Sequence, residues 1–116
     1  MSKNHFLLAF LCSFCFTLNA SADYIDGQRA YASGDYEAAI LVWTQVAQEG
    51  NARAQYNLGW MHANGRGIAQ DFQEAIKWYT KAAEQGNVNA QYNLGNLYLR
   101  GQGASQNDNL AFSWFI

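Results

Sequence analysis

Apolar residues recur along most of this chain at intervals of three and four, the spacing of one face of an α-helix. Ala54, Leu58 and Met61 stand at i, i+4 and i+7. A second stretch alternates small and large side chains at i, i+3, i+4, i+7 and i+8, namely Ala75, Trp78, Tyr79, Ala82 and Ala83. The pattern predicts amphipathic helices that pack face to face. We expect their core to include the aromatic residues Trp43, Trp78, Tyr79 and Trp114.

The same residues return after 36 positions. The hexapeptide AQYNLG at 54–59 is found again, letter for letter, at 90–95. The same shift gives 11 identities over the 27 positions of 54–80, and 7 identities over the 20 positions of 34–53. Self-similarity at a fixed period is the signature of a repeat architecture. The chain beyond its N-terminal segment is therefore predicted to be an array.

Glycines and carboxylates predict where the helices of each unit begin and end. The first helix should end near Asn64, because Gly65 can adopt the left-handed conformation of a helix C-terminus. The second should begin at Asp71, whose carboxylate can accept from free N–H groups, with Glu74 completing a capping-box-like pair. Asp35 takes the equivalent place in the opening unit, after a shorter turn. Each unit is thus interpreted as a pair of helices.

The N-terminal segment has a different pattern. Lys3 and His5 precede an unbroken apolar stretch at 6–18, and Ala20 and Ala22 follow it. This is the form of a secretory signal, and the apolar stretch is shorter than the roughly 20 residues that a membrane-crossing helix requires. We expect residues 1–22 to be a signal peptide cleaved after Ala22, so that the protein is periplasmic or secreted. An uncleaved membrane anchor is the alternative.

Charge and cysteine usage exclude several classes of function. Seven basic and nine acidic residues give a formal net charge of −2, without a run of like charge that could follow a phosphate backbone. A nucleic-acid partner is therefore not expected, and contact with a membrane is expected only through the signal segment. Cys12 and Cys15 both lie in that segment, so the remaining chain would have no disulfide and no thiolate metal ligand.

Residues that could carry catalysis all have a structural interpretation. His62 is the single histidine beyond the signal segment, and we interpret it as a packing residue. Asp71 and Glu74 are explained by helix capping, while Gly65 and Gly67 lack the strand and the lysine of a phosphate-binding loop. We expect no enzyme, no metal and no cofactor. A hydrolase would need a nucleophile beside a base, which the sequence does not offer.

The units resemble a known repeat family. Segments 54–59, 64–67, 74–79 and 81–87 together look like a nearly complete Sel1-like repeat at 52–87, and 88–116 looks like a second, incomplete one. Residues 23–51 resemble a tetratricopeptide unit. The resemblance implies an all-α fold, a right-handed α/α solenoid, without catalysis. It also implies an adaptor of protein complexes, as in many exported bacterial proteins with envelope, signalling or host-contact roles.

A solenoid of this kind would bind a protein or peptide on the concave surface lined by the first helix of each unit. The candidate residues on that face are Arg53, Gln55, Tyr56, Asn57, Trp60, Gln91, Tyr92 and Asn93. Asn57 and Asn93 recur at the repeat spacing, and an amide donates and accepts at once, which suits a peptide backbone. The alternative is that these two amides satisfy neighbouring backbone groups.

The exposed aromatic residues and the apolar C-terminal residues each allow a second interpretation. Tyr56, Tyr92 and Trp60 could instead bind a cell-wall glycan or a small ligand, because exposed aromatic rings stack on such molecules. The sequence also ends on the apolar residues Phe112, Trp114, Phe115 and Ile116, where a solenoid needs a polar cap. This ending predicts either further repeats beyond Ile116 or an apolar end that docks on a partner or on a second copy.

Overall fold

A computed structural model describes residues 23–115, and the predicted signal peptide at 1–22 lies outside the described residues, as does Ile116. The described chain folds into helices without any strand. In order they are α1 (Tyr24–Ala32), α2 (Tyr36–Gln48), α3 (Ala52–Asn64), α4 (Phe72–Glu84), α5 (Val88–Arg100) and α6 (Asp108–Phe115).

Each helix packs against the helix that follows it, and α3 also contacts α5. The units therefore stack as successive helix pairs, α1 with α2, α3 with α4 and α5 with α6. This confirms the predicted all-α solenoid of helix pairs. Within residues 23–115, none of the helices has the length and apolarity that crossing a membrane would take.

Local chemistry sets the ends of α3 and α4. Gly65 has φ 63° and closes α3 in the left-handed conformation, as predicted. The Asp71 carboxylate accepts from the backbone N–H groups of Gln73 and Glu74, both at 3.1 Å, and so caps α4. The predicted capping box is wrong in its second half, because the Asp71 N–H donates to the backbone oxygen of His62 at 2.8 Å, and the Glu74 carboxylate lies 3.9 Å from Lys77 on the next turn. A complete capping box is found instead at α1, between Asp23 and Asp26.

The core consists of two clusters that follow one another along the array. The first lies among α2, α3 and α4 and includes Trp43, Leu58 and Trp78. The second lies among α4, α5 and α6 and is built around Tyr79 and Leu94. The predicted core aromatics Trp43, Trp78 and Tyr79 are buried, whereas Trp114 is half-buried at the edge of the second cluster.

Close approach within a unit depends on a helical glycine. A methyl group on Gly59 would lie 2.5 Å from Cδ1 of the Tyr79 ring, well inside van der Waals contact. The absence of a side chain at Gly59 therefore lets Tyr79 of α4 lie directly on the backbone of α3. Gly95 provides the same space on α5 for Phe115 of α6.

Candidate binding groove

A groove lined with aromatic side chains lies between α1 and α3, the first helices of the first two units. Its volume is 460 Å³, a size that suits a small ligand or a few peptide side chains. On α1, Tyr24, Gln28 and Tyr31 stand at i, i+4 and i+7, so that one face of the helix lines the groove. We call this site the aromatic groove; its lining residues are Tyr24, Gln28, Tyr31, Ala32, Trp43, Tyr56, Asn57, Trp60 and Met61.

Trp43 forms the base of the aromatic groove. It is 3% exposed, and its indole Nε1 donates to the backbone oxygen of Tyr24 at 3.1 Å. The rings of Tyr24 and Tyr31 lie 5.9 Å and 5.8 Å from the Trp43 ring, and Trp60 meets Tyr31 edge-on at 6.3 Å. Such mutual packing holds the rings in place before any ligand arrives, which lowers the entropic cost of binding.

Hydrogen-bonding groups lie at the Tyr24 end of the groove. The Tyr24 hydroxyl oxygen accepts from Nδ2 of Asn57 at 2.9 Å and from Nε2 of Gln28 at 3.4 Å. Because both contacts use the oxygen as acceptor, the hydroxyl proton is left to donate to a ligand. Oδ1 of Asn57 receives no hydrogen bond from residues 23–115 and is an available acceptor. A peptide group, which carries one donor and one acceptor, matches this pair.

An arginine stands at each end of the aromatic groove. The Arg53 guanidinium lies over the Tyr24 ring, 4.8 Å from its centroid. The Arg66 guanidinium lies 5.6 Å from the Trp60 centroid and 5.2 Å from the Tyr36 centroid, and its Nη1 donates to the Tyr36 hydroxyl at 3.2 Å. That hydrogen bond raises the pKa of Arg66 above its ordinary value. A guanidinium is charged at every working pH in any case.

Three of the eight predicted binding residues line this groove, namely Tyr56, Asn57 and Trp60, and a fourth, Arg53, lies over the Tyr24 ring and lines an adjoining surface hollow. Gln55 does not line the groove, and its prediction is corrected by its burial. The side chain is 4% exposed, its Nε2 donates to the backbone oxygen of Ala47 at 3.1 Å, and its Oε1 accepts from Gln85 at 2.9 Å. Both ends of the amide are thus used inside the fold, where a partner cannot reach them.

The three predicted residues on α5 lie elsewhere. Gln91 and Tyr92 line a second groove of 600 Å³ between α5 and α6, and Nε2 of Gln91 donates to Ala83 as that of Gln55 does to Ala47. Nδ2 of Asn93 lies 3.4 Å from the Tyr79 hydroxyl. Asn57 and Asn93 therefore bond tyrosine hydroxyls and not neighbouring backbone groups. The structure does not gather the eight residues into one site.

Sequence reasoning missed the contribution of α1. Tyr24, Gln28 and Tyr31 supply one wall of the aromatic groove, yet they lie outside the segments that repeat most clearly. Their i, i+4, i+7 spacing was a detectable signal, because two tyrosines and a glutamine on one face of a short helix are more polar than a core requires.

Titratable side chains outside the groove, such as those of His62 and Tyr79, occupy structural positions in the described residues. Within residues 23–115, no group of three His, Cys, Asp or Glu side chains is placed to hold a metal ion. The buried Nδ1 of His62 has no hydrogen-bond partner. Burial raises the pKa of the Tyr79 hydroxyl well above its ordinary value, so that tyrosine is not poised to exchange a proton near neutrality.

The repeats of this chain are similar to a known family of helical repeats and to solved structures. The family model of the Sel1 repeat matches residues 52–87 and 88–116. No curated protein matches the chain. Among solved structures, a protective antigen present in uropathogenic Escherichia coli strains, which displays an SLR fold, is 33% identical with a TM-score of 0.75. A Sel1 repeat protein from Oxalobacter formigenes is 32% identical with a TM-score of 0.67.

The two alignments cover 78% and 69% of this chain, but 20% and 61% of the respective relatives. This chain therefore spans only part of the length of either relative. Sel1 repeats form helical solenoids that typically mediate protein–protein interactions and are generally non-catalytic scaffolds. Since the family model covers more than half of the sequence and both similar structures display this fold, the chain belongs to the Sel1 repeat family.

Proposed function

We propose that this protein is an exported adaptor that holds an extended segment of a protein partner in the aromatic groove. The observation that carries the proposal is the lining of the groove, in which five Tyr and Trp rings surround a volume of 460 Å³ beside the Asn57 amide and the Tyr24 hydroxyl. Aromatic rings bury a large apolar side chain efficiently, and the Asn57 amide and Tyr24 hydroxyl can pair with the adjoining peptide group.

The dimensions of the groove favour a short extended peptide. From Tyr24 to Tyr31 the wall of α1 is about 10 Å long, because a helix rises about 1.5 Å per residue. An extended chain advances about 3.3 Å per residue, so roughly three residues would lie within the groove. One large apolar side chain would be the anchor, and its neighbours would leave the groove at either end.

Export is the second part of the proposal, and the cap of α1 supports it. The Asp23 carboxylate accepts from the N–H groups of Ile25 and Asp26, while the Asp23 N–H donates to Asp26 Oδ2 at 3.0 Å. Every bond of this cap is made by Asp23 and the residues after it. Cleavage after Ala22 would therefore leave α1 intact.

The site of action that we propose is the bacterial envelope or the host contact zone. One similar protein is a protective antigen present in uropathogenic Escherichia coli strains, which supports a place of action at the contact with a host. Intact mass spectrometry of the tagged protein from cell fractions tests export. A periplasmic or secreted form that begins at Asp23 is the expected result, and a cell-associated form that retains Met1 would contradict it.

Peptide binding is tested by selecting displayed random 12-residue peptides on the immobilised chain and measuring their affinities by fluorescence anisotropy. We expect saturable binders that weaken more than about tenfold on Trp60→Ala and on Asn57→Ala, since truncation of a central aromatic anchor commonly costs at least 2 kcal/mol. Tyr92→Ala is the matched control, because Tyr92 is 61% exposed and lies outside the aromatic groove. Circular dichroism establishes that each variant is folded.

Two results would count against peptide recognition at this groove. Selected peptides that lose affinity on Tyr92→Ala but not on Trp60→Ala would move the site to α5. Failure to select any saturable peptide, together with thermal stabilisation by cell-wall glycan fragments that Trp60→Ala abolishes, would replace the peptide with a glycan.

A further inference from the structure

We infer that the segment held in the aromatic groove carries acidic residues on both sides of its apolar anchor, because Arg53 and Arg66 flank the groove. This inference rests on the proposed function, since it specifies the partner of the same site. It is carried by the positions of two guanidinium groups, by their lack of carboxylate partners and by the charge of the rest of the chain.

The two arginines mark opposite ends of the groove. Arg53 stands in the first turn of α3 and covers Tyr24, which begins α1. Arg66 follows the C-terminus of α3 and covers Trp60, which faces Tyr31 near the end of α1. A ligand that runs along the groove would therefore meet one arginine where it enters and the other where it leaves.

Neither guanidinium is paired with a carboxylate. In the described part of the chain, ion pairs within 4 Å join Arg29 to Asp26 and Lys77 to Glu74, and none includes Arg53 or Arg66. Arg53 instead lies over the Tyr24 ring, and Arg66 lies over the Tyr36 and Trp60 rings and donates one N–H to the Tyr36 hydroxyl. A stacked guanidinium keeps N–H groups at its edge, and these can hold a carboxylate through two parallel hydrogen bonds.

The charge of the whole chain makes this pair of arginines distinctive. The formal net charge is −2, so an acidic peptide gains nothing from the protein as a whole. Asp23 and Glu49 border a surface hollow with Arg53, but they lie beyond ion-pair distance from it. Attraction of an acidic segment would therefore be confined to the ends of the aromatic groove and would be sensitive to salt.

The spacing of the arginines predicts the spacing of the acidic residues. Along α3, about 10 Å separate the level of Arg53 from the level of Trp60, over which Arg66 folds back, because a helix rises about 1.5 Å per residue. At about 3.3 Å per residue, an extended segment of this length contains roughly three residues. The preferred segment thus has two acidic side chains about three positions apart, with the apolar anchor between them.

The test uses the chain from residue 23 onward that is recovered after processing, or the full chain if Met1 is retained, and fluorescein-labelled nine-residue Gly/Ser peptides. Each peptide has one central Trp, Phe or Leu and two flanking residues three positions apart, which are both Glu, both Gln or both Lys. Fluorescence anisotropy gives the affinities at about 50 mM and 300 mM NaCl. We expect the Glu peptide to bind at least tenfold more tightly than the Gln peptide at low salt and less than threefold more tightly at high salt.

Variants assign the effect to the two arginines. Arg53→Gln and Arg66→Gln should each reduce the advantage of Glu over Gln, and Arg66→Glu should make the Lys peptide the better ligand. Arg29→Gln is the matched control, because Arg29 is an exposed arginine of α1 that pairs with Asp26 outside the groove. A purely structural role for either arginine would lower stability without changing which peptide is preferred.

The outcomes separate this inference from the proposal beneath it. Equal binding of Glu and Gln peptides, both lost on Trp60→Ala, would overturn the acidic preference and leave the peptide groove standing. A Glu preference that survives both Arg→Gln variants would also overturn it. Absence of binding by every peptide, with no binder from the random selection, would remove the proposed function and this inference together.

Discussion

At the scale of single residues, the most perturbed group is the Tyr79 hydroxyl. Tyr79 is 2% exposed, and burial raises its pKa because the charged phenolate loses its hydration; the hydrogen bond from Asn93 acts in the opposite direction but is weaker. The folded state therefore keeps the proton at a pH where the unfolded chain, with the ordinary tyrosine pKa of 10.0, releases it. The stabilisation is complete below that pH and is lost as the pH rises above it.

The variant Tyr79→Phe tests this linkage. At pH 7 it should cost less than about 1 kcal/mol, because it removes a single long hydrogen bond. Between pH 9 and pH 11 the wild type should lose about 1.4 kcal/mol more than the variant, since one unit above the unfolded pKa is worth about that much. Urea denaturation at the three pH values measures both quantities, and parallel losses in the two proteins would contradict the argument.

The residue scale also shows where sequence information stops. Trp43 and Tyr79 were predicted to be core residues because their helical spacing records which face is apolar, and both are buried. Gln55 was assigned to the surface because its type is polar, but whether a glutamine is free or bonded depends on acceptors distant in sequence. Its partners Ala47 and Gln85 lie 8 and 30 residues away.

At the scale of helices, Gly59 and Gly95 set the distance between the two helices of a unit. Gly59→Ala forces a methyl group against Tyr79, which is buried on all sides and cannot move, so we expect a net loss of about 1–3 kcal/mol. Gly95→Ala meets Phe115, which is 38% exposed and can shift. The gain in helix propensity, about 1 kcal/mol, should make that variant neutral or slightly stabilising.

Urea denaturation of both variants measures this contrast. The pair is well matched, because the substitution is the same, both glycines follow the same pentapeptide AQYNL, and each faces one aromatic ring, Tyr79 or Phe115. Equal losses at Gly59 and Gly95 would show that the Phe115 ring is held as firmly as the Tyr79 ring.

The Asp71 cap is a second feature at this scale. Asp71→Ala should destabilise the protein by about 1 kcal/mol, because two N–H groups at the start of α4 lose their acceptor. Asp71→Asn should retain most of that stability, since an amide oxygen also accepts. Gln73→Ala is the control in the same turn, and a loss there as large as that at Asp71 would show that the effect is not specific to the cap, because alanine itself favours the helix.

Helix ends were predictable because their signals are local. Gly65 and Asp71 act on the backbone within three residues of themselves, and the structure places both where their types indicate. The role of Glu74 was mispredicted because the Asp71 N–H donates to the backbone oxygen of His62, nine residues earlier, and is not free for the Glu74 carboxylate. That contact depends on how the turn at 65–71 folds back on α3, which the local sequence does not show.

At the scale of the whole molecule, the repeat predicts the solenoid but not the location of the groove. A period of 36 residues treats the second and third units as equivalent, which is why the predicted site was divided between α3 and α5. The aromatic groove instead depends on α1, whose turn to α2 spans 33–35, whereas the turn between α3 and α4 spans 65–71. Because the first turn is shorter, the residues of α1 do not align with those of α3 at a shift of 36. Identity at that spacing therefore does not reveal the contribution of α1 to the groove.

The array also predicts a gradient of stability. Units of a solenoid are stabilised mainly by their neighbours, and α6 buries a single residue, Ala111, while Phe112 is 56% exposed. By contrast, α4 buries five residues between α3 and α5. We therefore expect α6 to open locally, with amide protection at least tenfold lower than that of α4, whose amides exchange through global unfolding.

Hydrogen–deuterium exchange with mass spectrometry, at several urea concentrations below the unfolding transition, measures this gradient. Exchange in 108–115 should be insensitive to urea, because local opening exposes little surface, whereas exchange in 72–84 should accelerate as global stability falls. Helix α1 is the control, because it is the first described helix as α6 is the last. Its capping box and its contact with Trp43 should make its amides better protected than those of α6. If α6 is as protected as α4, and the protection decreases on dilution, a second copy covers the apolar face of α5 and α6.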